Sequence, residues 1–223
     1  MIEEGAPQQR MRVYFAKGEA LRYISHLDLA RAWERVFRRA GLLVAYSQGF
    51  NPRPRFQIAA ALPVGVTGQA ELLDIWLTEA LAPEEMAAKL GPSLPSGLEL
   101  LAVHRVPLRS SSMQSQMRAA DYRVAIHSPE PAEAVEARIQ AFLDAPAVLR
   151  QKHHKGKWKS YDLRPLVQAV GVAPGEPGTL VLTMRLQASP EGAGRPDAVV
   201  EALGLGLAPH AIVRTNLCLE FDK

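Results

Sequence analysis

His26 follows Ser25 at the start of an apolar-periodic stretch, the one place where this sequence invites a catalytic reading. Serine in that setting caps a helix amino end, and an imidazole beside it sits in positive potential that favours its neutral, proton-accepting form. A neutral base there, assisted by Tyr46 or a nearby arginine, would suit metal-independent RNA cleavage, although a histidine at such a position is more often a capping or packing residue. His153 and His154 are adjacent, but Lys152, Lys155, Lys157 and Lys159 surround them and would repel a divalent cation. Other catalytic signatures are missing: the chain has no Gly-x-Gly-x-x-Gly, no phosphate-loop lysine pattern, no His-Glu-x-x-His and no Gly-x-Ser-x-Gly.

Binding chemistry is better represented. The stretch 150–161 carries five Lys/Arg and no acid, with Trp158 and Tyr161 among them. Cations contact phosphates and aromatic rings stack on unpaired bases, so this composition suits single-stranded nucleic acid, or else a lysine-rich hairpin kept soluble by its charge. A second candidate is the loop 47–55, where prolines on either side stiffen Arg53 and Arg55, and Phe50 lies between Gly49 and Asn51. Phe50 either projects as a stacking ring or tucks inward at a structural elbow. Arg31, Arg35, Arg38 and Arg39 follow at i, i+4, i+7 and i+8 on the first predicted helix and therefore share one flank.

The elements that must position these groups follow from periodicity. Residues 11–17 read as a strand. From Ser25 onward, Leu29, Ala30, Trp33, Val36, Phe37 and Ala40 recur at helical spacing, and Gly41 stands where the helix should stop. Strands over 56–62 and 71–77, a helix over 83–90 and a strand over 98–106 complete a βαββαβ order. The order recurs with a strand over 121–127, a helix over 131–143, strands over 179–188 and 211–221, and a helix over 196–203. Residues 147–152 read as a further strand, while 161–172 remain open between strand and helical turn. The expected fold class is α+β: two tandem ferredoxin-like (βαββαβ) domains with antiparallel sheets, the second decorated. The expected boundaries are a flexible leader at 1–10, domains at 11–108 and 120–223, a linker at 109–119 and a basic insertion at 150–164.

Composition fits that picture. The 223 residues are 48% apolar and 22% charged, the balance of a globular protein with a sizeable core. No apolar run reaches the roughly 18 residues of a membrane span, and no export signal is visible, so the expectation is a cytoplasmic protein without a membrane partner. The single cysteine, Cys218, cannot form an internal disulfide and argues against a thiolate-held zinc site or iron–sulfur cluster within the chain, and is expected in the core. Net charge is only +3, yet residues 1–60 hold 10 Lys/Arg against 5 Asp/Glu, and 111–170 hold 9 against 6. Phosphate binding depends on such local excess more than on net charge.

The blocks YISHLDL (23–29), ERVFRRAG (34–41), YSQGFNPRP (46–54), DLRPL (162–166) and IVRTNL (212–217) resemble, in that order, the radical-SAM-linked protein family, a domain of unknown function. That family's domain occurs fused to, or encoded beside, a cobalamin-binding radical SAM enzyme, often near a ribonuclease of the E/G type. The resemblance implies a role in tRNA or rRNA modification or processing. It places S-adenosylmethionine, the iron–sulfur cluster and cobalamin in a partner rather than here. Paired ferredoxin-like halves with a histidine near the first helix are also similar to CRISPR repeat-RNA endonucleases. Three function classes follow. The first is a non-catalytic RNA-binding accessory module using Arg31, Arg35, Arg38, Arg39, Arg53, Arg55, Phe50, Lys152, Lys155, Lys157, Trp158 and Lys159. The second is a metal-independent endonuclease using His26 and Tyr46. The third is a protein-interaction domain docking through 47–55 without nucleic acid.

Overall fold

A computed structural model describes residues 6–154, 156–206 and 211–220. The architecture is mixed α+β, with antiparallel strands dominant and few helices. Among the described residues no helix is long and apolar enough to cross a membrane. The chain divides into two compact units, one reaching to Gln114 and the other spanning Ser115–Glu220.

The first unit contains β1 (Gln9–Lys17), α1 (His26–Arg39), β2 (Phe56–Ile58), β3 (Val66–Leu77), α2 (Pro83–Leu90) and β4 (Leu98–Val106). Its strands pair in the order β4-β1-β3-β2, every pair antiparallel. Alternate residues Met11, Val13 and Phe15 of β1 and Leu73, Ile75 and Leu77 of β3 are buried against Leu29, Trp33, Val36 and Phe37 of α1. Aromatic rings knit that core: Phe15 meets Trp33 edge-on at 5.0 Å, Trp33 stacks on Phe37 at 5.5 Å, and Phe37 meets Phe56 at 5.3 Å. Helix α1 starts where its cap predicts. Ser25 Oγ accepts the Asp28 N–H (3.1 Å) and donates to the Asp28 carboxylate (2.7 Å), and Gly41 turns the chain out of the helix at φ 64°.

Two local expectations change here. Strand β1 starts at Gln9 rather than Met11, because the Gln9 amide is fixed in the interior, donating to Leu81 O (2.9 Å) and accepting from Leu81 N–H (2.7 Å). Arg10 is likewise buried, so the expected leader ends earlier. Strand β2 ends at Ile58, not at residue 62, and its partner β3 is longer than expected, starting at Val66. Pro63, without an N–H, lies in the gap between them.

The second unit follows the single-turn α3 (Met113–Gln116). It contains β5 (Met117–His127), α4 (Ala132–Asp144), β6 (Leu149–His154), β7 (Lys157–Asp162), β8 (Val167–Pro174), β9 (Thr179–Ser189), β10 (Gly192–Ala193), α5 (Pro196–Ala202) and β11 (Ala211–Leu219). The main strands pair antiparallel as β8-β9-β5-β11, with β10 also on β9. Buried positions alternate along β5 (Ala120, Tyr122, Val124, Ile126) and β9 (Leu180, Leu182, Met184, Leu186), and recur at Val135, Ile139 and Phe142 on α4. The linker expected at 109–119 is shorter, since Met117 already lies in β5 and Ala119 pairs with Gln187. The strand expected at 147–152 does not join this sheet: β6 pairs only with β7, and β8 takes the place beside β9. A segment with this many cations cannot be sandwiched between sheet and helix without leaving buried charge, so it folds on itself at the surface.

Candidate nucleic-acid interface

On the first unit, three of the four predicted helix arginines come together. Arg31, Arg35 and Arg38 line one side of a groove of about 700 Å³, and Leu43, Val44, Tyr46 and Pro54 line the other. The opposing wall exists because the chain after α1 folds back beside β3. Leu42 N–H donates to Phe37 O (3.1 Å), Ala45 N–H to Trp76 O (2.8 Å), and Arg55 N–H to Ala45 O (2.7 Å). Leu43 and Tyr46 remain 56% and 55% exposed, so apolar and aromatic surface faces water beside the guanidinium groups. Glu34 also lines the groove, leaving it with more positive than negative side chains. Arg31 contacts Asp28 (3.2 Å) in an exposed pair that solvent screens. Arg39 leaves the group, because its guanidinium donates to Ser93 O.

The loop 47–55 has a pinched stem. Ser47 N–H donates to Arg53 O (2.9 Å), Arg53 N–H donates to Ser47 Oγ (3.0 Å), and Tyr46 bridges to Pro54. Phe50 is fully exposed, so the inward elbow does not form. Arg53 is exposed on the loop, whereas Arg55 lies over the Trp76 ring at 4.7 Å, a ring that Arg10 also covers at 4.8 Å. His26 occupies the first position of α1, and its Nδ1 is buried without a hydrogen-bond partner among the described residues. It does not line the groove that Tyr46 lines.

On the second unit, the strand register sorts the basic segment into two faces. Arg150 pairs with Tyr161, and Lys152 with Lys159; these residues and Lys157 share one face. Gln151 pairs with Ser160 and His153 with Trp158 on the other. Trp158 is 69% exposed and meets the His153 ring edge-on at 5.4 Å. Cations and tryptophan are therefore not interleaved on one surface. Lys155 lies outside the described residues. The base of the hairpin is fixed: Asp162 Oδ1 accepts Val148 N–H (2.8 Å) and Arg164 N–H (3.0 Å), Arg164 reaches Leu143 O and Val167 O, and Arg150 pairs with Glu201.

Sequence reasoning missed a polar cluster on the second sheet. Arg185 of β9 donates to both carboxylate oxygens of Asp121 on β5 (2.7 and 3.0 Å), and Asn216 and Cys218 of β11 approach the same carboxylate at 3.4 and 3.6 Å. The Arg185 hydrogen bond, reinforced by Asn216, holds the Asp121 carboxyl below the usual carboxylate range. Burial and the neighbouring Asp121 charge push the Cys218 thiol up, and Cys218 is half-buried beside polar groups rather than in the core. A shallow groove of about 450 Å³ beside this cluster is lined by Arg123, Thr183, Arg185 and Thr215. Polar residues at alternate positions of otherwise apolar strands were the available signal, but they come from three segments far apart in sequence.

No curated protein matches the sequence. Solved structures do. The chain is similar to one in the "Crystal Structure of a Cbf5-Nop10-Gar1 Complex", at TM-score 0.51 and 11% identity over 93% of this chain and 48% of that one. It is also similar to chains in the "Structure of H/ACA RNP bound to a substrate RNA containing 2'-deoxyuridine" (TM-score 0.47, 11% identity, 97% and 50% covered) and in the "Crystal structure of the archaeal box H/ACA sRNP Nop10-Cbf5 complex" (0.48, 10%, 92% and 47%). The chain thus spans about half the length of the solved chains it matches, and at 11% identity the likeness to the first of them is one of fold. Residues 10–196 match the family described as "Uncharacterized protein conserved in bacteria (DUF2344)", and the chain belongs to that family.

Proposed function

We propose that this protein is a non-catalytic RNA-binding module that acts in the cytoplasm with a radical SAM enzyme in tRNA or rRNA modification or processing. The observation that carries the RNA reading is the groove in which Arg31, Arg35 and Arg38 face Leu43, Val44 and Tyr46. Guanidinium groups bind phosphate oxygens, and exposed rings stack on bases without reading sequence. The cationic hairpin supplies a second phosphate contact. The radical SAM partnership, and a ribonuclease of the E/G type as a neighbour, rest on the sequence resemblance. On this reading the S-adenosylmethionine, cobalamin and iron–sulfur cluster sit in the partner, as the sequence resemblance implies. The strand orders β4-β1-β3-β2 and β8-β9-β5-β11, each with two helices, support reading both units as ferredoxin-like, the second decorated by β6 and β7.

The test is binding of labelled tRNA and rRNA transcripts across a salt series. Wild type should lose affinity steeply with salt. Arg31→Glu/Arg35→Glu/Arg38→Glu should weaken binding and reduce the log–log salt slope by about 2, at roughly 0.7 per single-strand phosphate. A salt-independent or unchanged affinity would overturn the reading. One observation favours a second reading. Phe50 is fully exposed on a pinned stem, which suits docking of 47–55 on a protein partner. Capture of the radical SAM enzyme that survives nuclease treatment, with no RNA shift, would favour that alternative.

A further inference from the structure

The hairpin formed by β6 and β7 has a sidedness that a simple phosphate-binding arm would not need. Lys152 and Lys159 stand directly opposite each other, with Arg150 and Lys157 on the same face. Like charges in directly opposed positions destabilise a two-stranded pair, and an anion lying between them relieves that repulsion. Arg150 is neutralised by Glu201, whereas Lys152, Lys157 and Lys159 form no ion pair among the described residues, Lys152 lying instead over the Tyr161 ring of the same face at 5.2 Å. Lys157 and Lys159 alternate on one strand and so stand roughly 6.8 Å apart, comparable with the separation of successive phosphates. This face is built to follow a sugar-phosphate backbone.

The opposite face carries no cation at the paired positions. It offers Trp158, Gln151 and Ser160, with His153 supporting the indole edge-on. A nucleotide strand whose phosphates lie on the lysine face cannot also stack its bases on Trp158, because the hairpin itself stands between them. RNA that engages both the lysines and Trp158 must therefore do so with two different segments. Asp162, Arg164 and Arg150 fix the hairpin's base, so it can stand between those segments without being ordered on binding.

We infer that this hairpin recognises a junction between paired and unpaired RNA and stands at the fork. One strand's phosphates run along Lys152, Lys157 and Lys159, and Trp158 stacks on a base exposed at the end of the duplex or on the other arm. The inference rests on the RNA-binding reading and names its substrate class. Stacking of one base on an aromatic ring is worth about 1–3 kcal/mol, or roughly 5- to 150-fold in affinity.

The test uses the full chain and four labelled RNAs at fixed salt: a duplex with two unpaired oligouridine arms, the same duplex with blunt ends, and each strand alone. Wild type should bind the forked RNA at least about tenfold more tightly than the blunt duplex or either strand. Trp158→Ala should remove that preference and leave the salt slope unchanged, with Trp158→Phe restoring much of it. Lys152→Ser/Lys159→Ser should weaken binding to all four and lower the slope by about 1.4. Melting curves check that each variant is folded, as expected at exposed positions. Equal wild-type affinity for fork, duplex and strands would overturn the junction while leaving RNA binding standing. Absence of RNA binding altogether would remove both. A Trp158→Ala protein with unchanged RNA preferences but lost capture of the radical SAM enzyme would assign this face to a protein and overturn the inference.

Discussion

Asp74 has no solvent exposure and is held by two guanidinium groups. Arg12 contacts it at 2.8 and 3.0 Å and Arg10 at 2.9 and 2.5 Å, while Arg10 also donates to Ser110 O and Ser111 O. Removing one partner of such a buried cluster leaves uncompensated charge, which costs about 3–5 kcal/mol. Asp74→Asn should therefore lower the urea midpoint sharply without altering the exposed arginine groove, and unchanged stability would contradict this account of the first sheet. Phe50 sits at the other extreme. It buries nothing, so Phe50→Ala should change stability by less than about 0.5 kcal/mol while weakening RNA binding several-fold or more. An RNA affinity equal to wild type would place the ring outside the interface. His26 is the residue on which the catalytic alternative depends. Its ring is partly withdrawn at the helix start and does not line the groove beside Tyr46, so His26→Ala should leave end-labelled tRNA as intact as wild type does.

Among the elements, helix α1 was the most legible, because cap, apolar period and terminal glycine all point the same way and each is local. Its arginine flank was equally readable. The wall facing it was not, since that depends on hydrogen bonds from 42–55 back to Phe37 and to Trp76 of β3. In the basic segment, residue types were plain but their division between two faces required knowing that the turn lies after His154 and that Lys152 opposes Lys159. In the second sheet, 147–152 and 161–172 both carry residues that fit a strand, and only the cost of burying cations decides which joins it. Asp121 joins three strands of that sheet and gives it a pH dependence. Its native carboxyl lies below its unfolded value through Arg185 and Asn216, so the pair stabilises the fold above about pH 4, and that contribution disappears as pH falls through the native value. The stability gap between wild type and Arg185→Ala should accordingly close on acidification, when followed by denaturant unfolding at several pH values. A gap that stays constant down to the acid limit would contradict this.

For the whole molecule, a net charge of +3 conceals two local excesses, and these excesses rather than the total make a polyanion partner reasonable. One forms an arginine groove on the first unit and the other a two-faced hairpin on the second. Membership in the bacterial family and likeness to solved chains describe ancestry and fold, so the functional account stands on those two surfaces. Ultraviolet crosslinking of RNA that co-purifies with the native protein, followed by mapping of the crosslinked peptides, tests it most directly. The account predicts crosslinks on peptides bearing Tyr46 or Phe50 and on the peptide bearing Trp158, and their loss when Arg31, Arg35 and Arg38 are changed to glutamate should be greatest at Tyr46 and Phe50. A protein that carries no RNA, or whose crosslinks fall only beside Asp121 and persist in that variant, would contradict it.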